Sequence, residues 1–272
     1  MREIAIRVPA ASVEAVLDEL LPLAPHGVFD VERGEEVELR VRGHDGEMPS
    51  LGDVVDAAGP WLRWSGERDV PDDWREQRRL DSEPLLVTGR LSIRPPWAPP
   101  GDAGLVDIVL DDSRRAFGTG VHPTTRGCLE ALVELPPHGS FADLGCGSGV
   151  LSIVAAKLGF APVTALDFDP QAVTAAGANA AANGVAVEVR EADLASEPPP
   201  AADVVAANVT ADLHASLAET FAAAPPPLLI AAGMRAEEAE TVAAAYARGN
   251  ALEVRRSHGT TEWPVLELVR PS

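Results

Sequence analysis

Only 2 cysteines occur in 272 residues, and neither belongs to a Cys/His group with metal-ligand spacing. A disulfide framework is therefore not expected, and neither is a zinc site. Cys128 falls in a helical pattern and Cys146 in a glycine-rich turn. One bridge between them is conceivable, but two isolated thiols in such a chain read as reduced. No run approaches about 18 consecutive apolar residues, so no membrane-spanning helix is expected. The start, Met1-Arg2-Glu3, lacks a signal-peptide pattern, and the expectation is a soluble, cytoplasmic protein with no membrane partner. Basic residues are also scarce: 22 Lys and Arg stand against 42 Asp and Glu, a formal net charge of −20. An acidic body repels phosphate, so direct nucleic-acid binding is not expected. The charge fits a cationic partner such as a lysine-rich protein, or it serves solubility alone.

What is present suffices for a core. Hydrophobic residues make up 46% of the chain, and its length suits two domains, one of them small. Residues 1–68 read as the small one. Ile4, Ile6 and Val8 alternate as in a half-buried strand. Ser12 stands at the cap of a helix whose Val13, Val16, Leu17, Leu20 and Leu21 share a face. Val28–Val31 and Val37–Val41 flank a hairpin turn at Arg33-Gly34-Glu35, a short helix spans Ser50–Ala58, and Trp61, Leu62 and Trp64 open a last strand. The order βαββαβ is the ferredoxin-like α+β plan, which by itself names no function.

Residues 69–83 are highly charged and read as a linker, with Trp74 packing it onto one domain. From residue 84 to 272 the pattern changes. A strand pair, Leu85–Ile93 and Leu105–Leu110, precedes strands at Ser140–Leu144, Val163–Asp167, Val185–Val189, Val204–Asn208 and Leu228–Ala232. Helical patterns begin at Val150, Pro170, Ala211 and Arg235. Alternating β and α implies an α/β, Rossmann-like parallel sheet covered on both faces. Two terminal runs without a helix between them, Ala251–Arg256 and Val265–Val269, read as a hairpin at the sheet edge.

The strongest local signal is Asp143-Leu144-Gly145-Cys146-Gly147-Ser148-Gly149, between a strand and a helix, where glycines let backbone approach a ligand. Asp167 ends the next strand and can accept hydrogen bonds from both hydroxyls of a ribose. A dinucleotide site would share this geography, but its third glycine would fall at Val150. The carboxylate of Asp143 also faces the turn, where it would repel a pyrophosphate. A cationic ligand without phosphate is favoured, which makes S-adenosylmethionine the first choice and a nicotinamide dinucleotide the alternative. Asp193, after the third strand, can reach an adenine amino group or stand in solvent. Asn208 ends the fourth strand at the carboxyl edge, where doubly wound sheets bind ligands.

A second run, Phe117-Gly118-Thr119-Gly120-Val121-His122-Pro123-Thr124-Thr125, reads as a polar ligand loop entering a helix. Thr125 can cap that helix or reach a carboxylate of the cofactor. His122 reads as a hydrogen-bonding or exposed residue rather than a base.

With these motifs the chain resembles the ribosomal protein L11 methyltransferases, a family of class I S-adenosylmethionine enzymes. The loop 117–125, the turn 143–149, the strand end Ala165-Leu166-Asp167-Phe168-Asp169-Pro170 and Ala207-Asn208-Val209 carry the resemblance, as do Asp73-Trp74 and Glu262-Trp263-Pro264-Val265. It implies a seven-stranded, mostly parallel sheet with an antiparallel C-terminal edge, preceded by a domain that recognises the substrate. The cofactor contacts implied are Thr125, Gly145, Asp167 and Asn208, and Phe117, Gly118, Thr119, Gly120, Asp143 and Gly147 join them as candidates. The resemblance further implies methylation of lysine side chains and the N-terminal amine of a basic ribosomal protein, L11. Asn208 is then the candidate that orients the amine. One departure stands out: Asp112-Ser113-Arg114-Arg115-Ala116 replaces a Pro-Gly pair usual in the family. Two rival readings stay open, a methyltransferase of a small amine or hydroxyl metabolite and a non-catalytic assembly factor that keeps the pocket.

Overall fold

The computed structural model describes residues 2–24, 28–34, 36–43, 46–70, 84–111, 122–221, 224–248 and 252–270. The chain divides into two compact units, Met1–Asp81 and Ser82–Ser272. Trp74 and the rest of 71–83 lie outside the described residues.

The first unit runs β1 (Arg2–Pro9), α1 (Val13–Leu20), β2 (Val28–Arg33), β3 (Glu36–Gly43), α2 (Leu51–Ala58), β4 (Trp64–Asp69). Its sheet has the order β2-β3-β1-β4 and every pairing is antiparallel, the split-βαβ arrangement expected from the sequence. The alternation of Ile4, Ile6 and Val8 points one face of β1 at the helices. There they pack with Val37, Leu39, Val16, Leu20, Val54 and Ala58.

Two local expectations need correction. Ser12 occupies the cap of α1, but its hydroxyl donates back to the Pro9 carbonyl at 2.8 Å instead of capping the helix. The reciprocal cap belongs to α2, where Ser50 Oγ accepts from Asp53 N and Asp53 accepts from Ser50 N. The last strand begins at Trp64, not at Trp61, because Gly59 at φ +50° and Pro60 fold residues 59–61 into a 3₁₀ turn. On the opposite face, two buried carboxylates are held by arginines. Glu3 accepts from Arg42 and Arg68, and Glu38 accepts from Arg7 and Arg40. Burial alone would raise the Glu38 carboxyl, but the hydrogen bonds from Arg40 and Arg7 outweigh it and hold the pKa at about 2.

The second unit opens with three strands, not two. Thr88 and Gly89 both sit at positive φ and fold the expected first strand into a hairpin of β5 (Leu85–Val87) and β6 (Leu91–Arg94). β7 (Val106–Val109) joins β6 in parallel to complete a small sheet.

After α3 (Pro123–Glu134) the alternation begins: β8 (Phe141–Leu144), α4 (Val150–Leu158), β9 (Val163–Asp167), α5 (Pro170–Ala182), β10 (Glu188–Glu191), β11 (Val204–Asn208), α6 (Ala211–Phe221), β12 (Leu228–Ala232), α7 (Ala236–Arg248), β13 (Glu253–Gly259), β14 (Pro264–Val269). These strands form one seven-stranded sheet in the order β10-β9-β8-β11-β12-β14-β13. All pairings are parallel except those of β14 with β12 and β13, as the expected C-terminal edge requires.

Period-two burial gives the sheet two apolar faces. Phe141, Val163, Val204 and Ile230 meet Leu129, Leu132, Ile153 and Val154 on one side. Leu144, Leu166, Val205 and Leu229 meet Leu217, Phe221, Val242 and Tyr246 on the other. The third strand starts three residues later than its apolar run suggested, because Gly184 (φ +66°) and Val185, whose N–H reaches Ala180 O, still close α5. Strand order reverses between β8 and β11, and above the carboxyl ends of strands at such a reversal open α/β sheets form the crevice in which ligands bind.

Candidate functional site

The glycine turn is bolted to the sheet through its own backbone. The N–H groups of Gly145 and Cys146 both donate to Leu166 O, at 2.8 and 2.9 Å, which fixes the exit of β8 against the end of β9. Gly145 takes φ +73°, and a Cβ there would stand 2.6 Å from Val209 Cγ1. Gly149 takes φ +78° and lies so close to α5 that a Cβ would come within 3.0 Å of Ala176. Glycine is thus needed at both positions for backbone and for space.

Asp167 ends β9 beside the glycine turn. Its Oδ2 accepts from Gly147 N at 2.8 Å and its Oδ1 from Asp169 N at 3.0 Å. Each oxygen has further lone-pair capacity, so the carboxylate can still accept two donors from a ligand. Phe168, next in sequence, is 74% exposed, unusual for a large aromatic at a strand end. Asp193 makes a local turn after β10, in which its carboxylate accepts from Ala195 N and Ser196 Oγ.

Asp143 turns inward. It is buried, and its Oδ2 accepts from both the N–H and the hydroxyl of Ser152 on α4. Burial raises its carboxyl to about 6 despite those hydrogen bonds, and the charge of Asp167 adds to the rise. The carboxylate that was expected to face the turn therefore anchors the first turn of α4 through Ser152. Cys128 and Cys146 are buried free thiols whose pKa burial pushes well above the ordinary value.

On the other side of the crevice, Asn208 Nδ2 donates to Thr125 Oγ1 at 3.3 Å. Residues 83 apart in sequence thus meet at the end of β11. Thr125 does not cap α3. That role falls to His122, whose Nδ1 accepts from Thr124 N at 3.2 Å and lies 2.6 Å from Thr124 Oγ1. The His122 ring also stands edge-on to Trp263, with the Arg235 guanidinium over the same indole. Phe117, Gly118, Thr119 and Gly120, with the preceding 112–116, lie outside the described residues.

Sequence reasoning missed the support behind Asn208. Val209 N donates to Ala232 O, and Gly233 at φ +91° presses so close that a Cβ would stand 2.4 Å from Val209 O. His214 lies 2.9 Å from the same Ala232 O through Nε2 and 2.9 Å from the Tyr246 hydroxyl through Nδ1. Burial lowers the His214 pKa to about 4, so it is neutral, with Nε2–H the donor and Nδ1 the acceptor. No pattern in the sequence joins His214 to Tyr246. Among the described residues no group of His, Cys, Asp and Glu has the geometry of a metal site. No described helix is long and apolar enough to cross a membrane.

Comparison with known proteins identifies relatives of the chain. The family model "Ribosomal protein L11 methyltransferase (PrmA)" matches residues 62–271. The ribosomal protein L11 methyltransferase of Geobacter metallireducens is 34% identical over 269 residues, covering 86% of this chain and 87% of that protein. That of Dechloromonas aromatica is 37% identical over 211 residues, 76% of this chain and 70% of the relative. Among solved structures, the ribosomal protein L11 methylase of Lactobacillus delbrueckii subsp. bulgaricus superposes with a TM-score of 0.62 at 24% identity, over 69% of this chain and 97% of that one.

Proposed function

The chain belongs to the ribosomal protein L11 methyltransferase family, and from that premise we propose that it methylates lysine side chains and the N-terminal amine of ribosomal protein L11. The observation that carries the reading is the Asn208–Thr125 contact at the strand-order reversal, beside the glycine turn, whose Gly145 adjoins Val209. The site's chemistry fits S-adenosylmethionine. Gly145 lets the turn pass tightly against Val209, the Asp167 carboxylate can accept two ribose hydroxyls, and the field of Asp143 favours a cation. Thr125, Gly147 and the run Phe117–Gly120 complete the proposed cofactor contacts.

S-adenosylmethionine, when bound, supplies a methyl group already activated on a sulfonium. What this chain adds is orientation and exclusion of water. The attacking amine must be uncharged, whereas a free lysine, with a reference pKa of about 10.4, is almost wholly protonated at neutral pH. The Asn208 side-chain oxygen and nearby backbone carbonyls accept hydrogen bonds from the amine and aim its lone pair, while Thr125 fixes the Asn208 amide. The proton leaves to solvent before attack.

Residues 1–68 recognise the substrate, 69–83 link, and 84–272 carry the chemistry, acting in the cytoplasm. The net charge of −20 supports a basic protein partner over nucleic acid or an anionic membrane. Peptide mapping of L11 by mass spectrometry after reaction tests the acceptor class. Methyl groups on lysine and the N-terminal amine are expected, and methylation confined to other side chains would overturn it.

Asp143 provides a second test. Its folded pKa of about 6 exceeds the reference value of 3.8, so its contribution to stability is full below 3.8 and is lost as pH rises through 6. By neutral pH the buried charge costs roughly 3 kcal/mol, at about 1.36 kcal/mol per pKa unit. Asp143→Asn keeps an acceptor for Ser152 and removes that cost. Thermal melts at pH 8 are expected to show the variant several degrees more stable, while calorimetry shows S-adenosylmethionine bound about tenfold more weakly. Wild-type affinity should also fall below about pH 6. Affinity that stays flat from pH 5 to 8 would remove Asp143 from the site.

A further inference from the structure

Helix α5 lays a stripe of three residues across the back of the glycine turn. Ala176 is the close neighbour of Gly149, and Asn179 and Asn183 follow at helical spacing on the same side. In a helix otherwise built largely of alanine, the interior Asn179 needs a reason, since Asn is a poor interior helix residue; Asn183 stands four residues on, at the C-cap. Asn179 is 2% exposed and bonded through both its nitrogen and its oxygen. Its Nδ2 donates to Ser148 O at 3.0 Å, and its Oδ1 accepts from Asp111 N at 3.1 Å. The Ser148 carbonyl can only accept and the Asp111 amide can only donate, which fixes the orientation of the side-chain amide. Asn183 completes the seam differently: it accepts from Val109 N at 2.9 Å and donates to Val109 O at 2.6 Å, touching the strand end but not the turn.

The two partners of Asn179 are 37 residues apart in sequence and serve different parts of the site. Ser148 lies within the glycine turn, between Gly147, whose N–H is held by Asp167, and Gly149. Asp111 follows β7 and leads in sequence toward Phe117-Gly118-Thr119-Gly120. We propose that Asn179 is a positioning residue of the cofactor site, a single buried amide that couples the glycine turn to the strand end from which the threonine-rich run departs. The inference rests on the reading of this crevice as the S-adenosylmethionine site. Cofactor held on the turn then also fixes Asp111, and loosening Asp111 weakens the grip on the cofactor. Leucine matches the shape of Asn179 but makes neither hydrogen bond, and aspartate keeps the acceptor but turns a second acceptor against the Ser148 carbonyl.

The test uses the full-length chain with Asn179→Leu, and Asn183→Leu as comparator. Asn179→Leu is expected to weaken S-adenosylmethionine binding about tenfold by calorimetry and raise its KM, with kcat within about twofold. Asn183→Leu should lower the melting temperature comparably yet leave cofactor affinity within about twofold of wild type. Unchanged cofactor affinity in Asn179→Leu, or an equal loss in both variants, would overturn the proposal by making the stripe merely structural. If Asn179→Leu does not fold, amide exchange in the wild-type chain decides. Added S-adenosylmethionine should slow exchange at the Asp111 amide, and unchanged exchange there overturns the coupling. A wild-type chain that binds no S-adenosylmethionine fails differently, since it removes the cofactor site itself.

Discussion

Asn208→Ala is expected to lower turnover about 100-fold at saturating cofactor and L11, with the melting temperature little changed. The side chain is half-buried at the end of β11 and donates to Thr125, so alanine removes little packing. What it removes is the oxygen proposed to aim the amine and the donor that anchors this group to α3. A misplacement of about 1 Å between reacting atoms can cost about 100-fold. The strand end itself stays in place, because Val209 N remains on Ala232 O and His214 remains behind it. Thr125→Val should show an intermediate loss, roughly tenfold, since Asn208 then keeps its chemistry but loses its tether. Wild-type turnover in Asn208→Ala would exclude the orienting role.

Asp167→Ala should weaken S-adenosylmethionine binding by about 100- to 10,000-fold. Hydrogen bonds to a charged group contribute about 1.5–3 kcal/mol each, and two to the ribose would be lost. The turn suffers as well, because Gly147 N and Asp169 N lose their acceptor. Asp169→Ala separates the two effects. Asp169 caps α5 by accepting from Gln171 N at 2.8 Å, so its loss should cost roughly 1 kcal/mol of stability. Cofactor affinity in Asp169→Ala should remain within about threefold, given that the Asp167 bonds need only the Asp169 backbone. Equal losses of affinity in the two variants would show that the strand end matters only as structure.

Much of the fold could be read from the sequence because burial repeats with the period of each element. Ile4, Ile6 and Val8, and the apolar runs ending at Leu144, Asp167 and Asn208, declare strands whose order the alternation with helices then constrains. The hairpin at Thr88-Gly89 escaped because a non-glycine at positive φ leaves no pattern, and the shifted start of β10 escaped because a helix cap consumed apolar residues. For the site, motifs named Gly145, Asp167, Thr125 and Asn208, and the structure brings the last two into contact. It could not be read that Asp143 turns inward to Ser152, or that His122 rather than Thr125 caps α3. Such roles depend on side-chain direction, which spacing alone does not encode. The supports at Asn179, His214 and Tyr246 are buried polar groups satisfied by partners distant in sequence, and only the four-residue spacing of Asn179 and Asn183 hinted at one of them.

The most direct test of the account is transfer of labelled methyl groups from S-adenosylmethionine to purified ribosomal protein L11 by the full-length chain. Label should enter L11 in its native form, and should fall about 100-fold when Asn208→Ala replaces the wild type. Absence of label from L11, with S-adenosylmethionine still bound by the chain, would contradict the account.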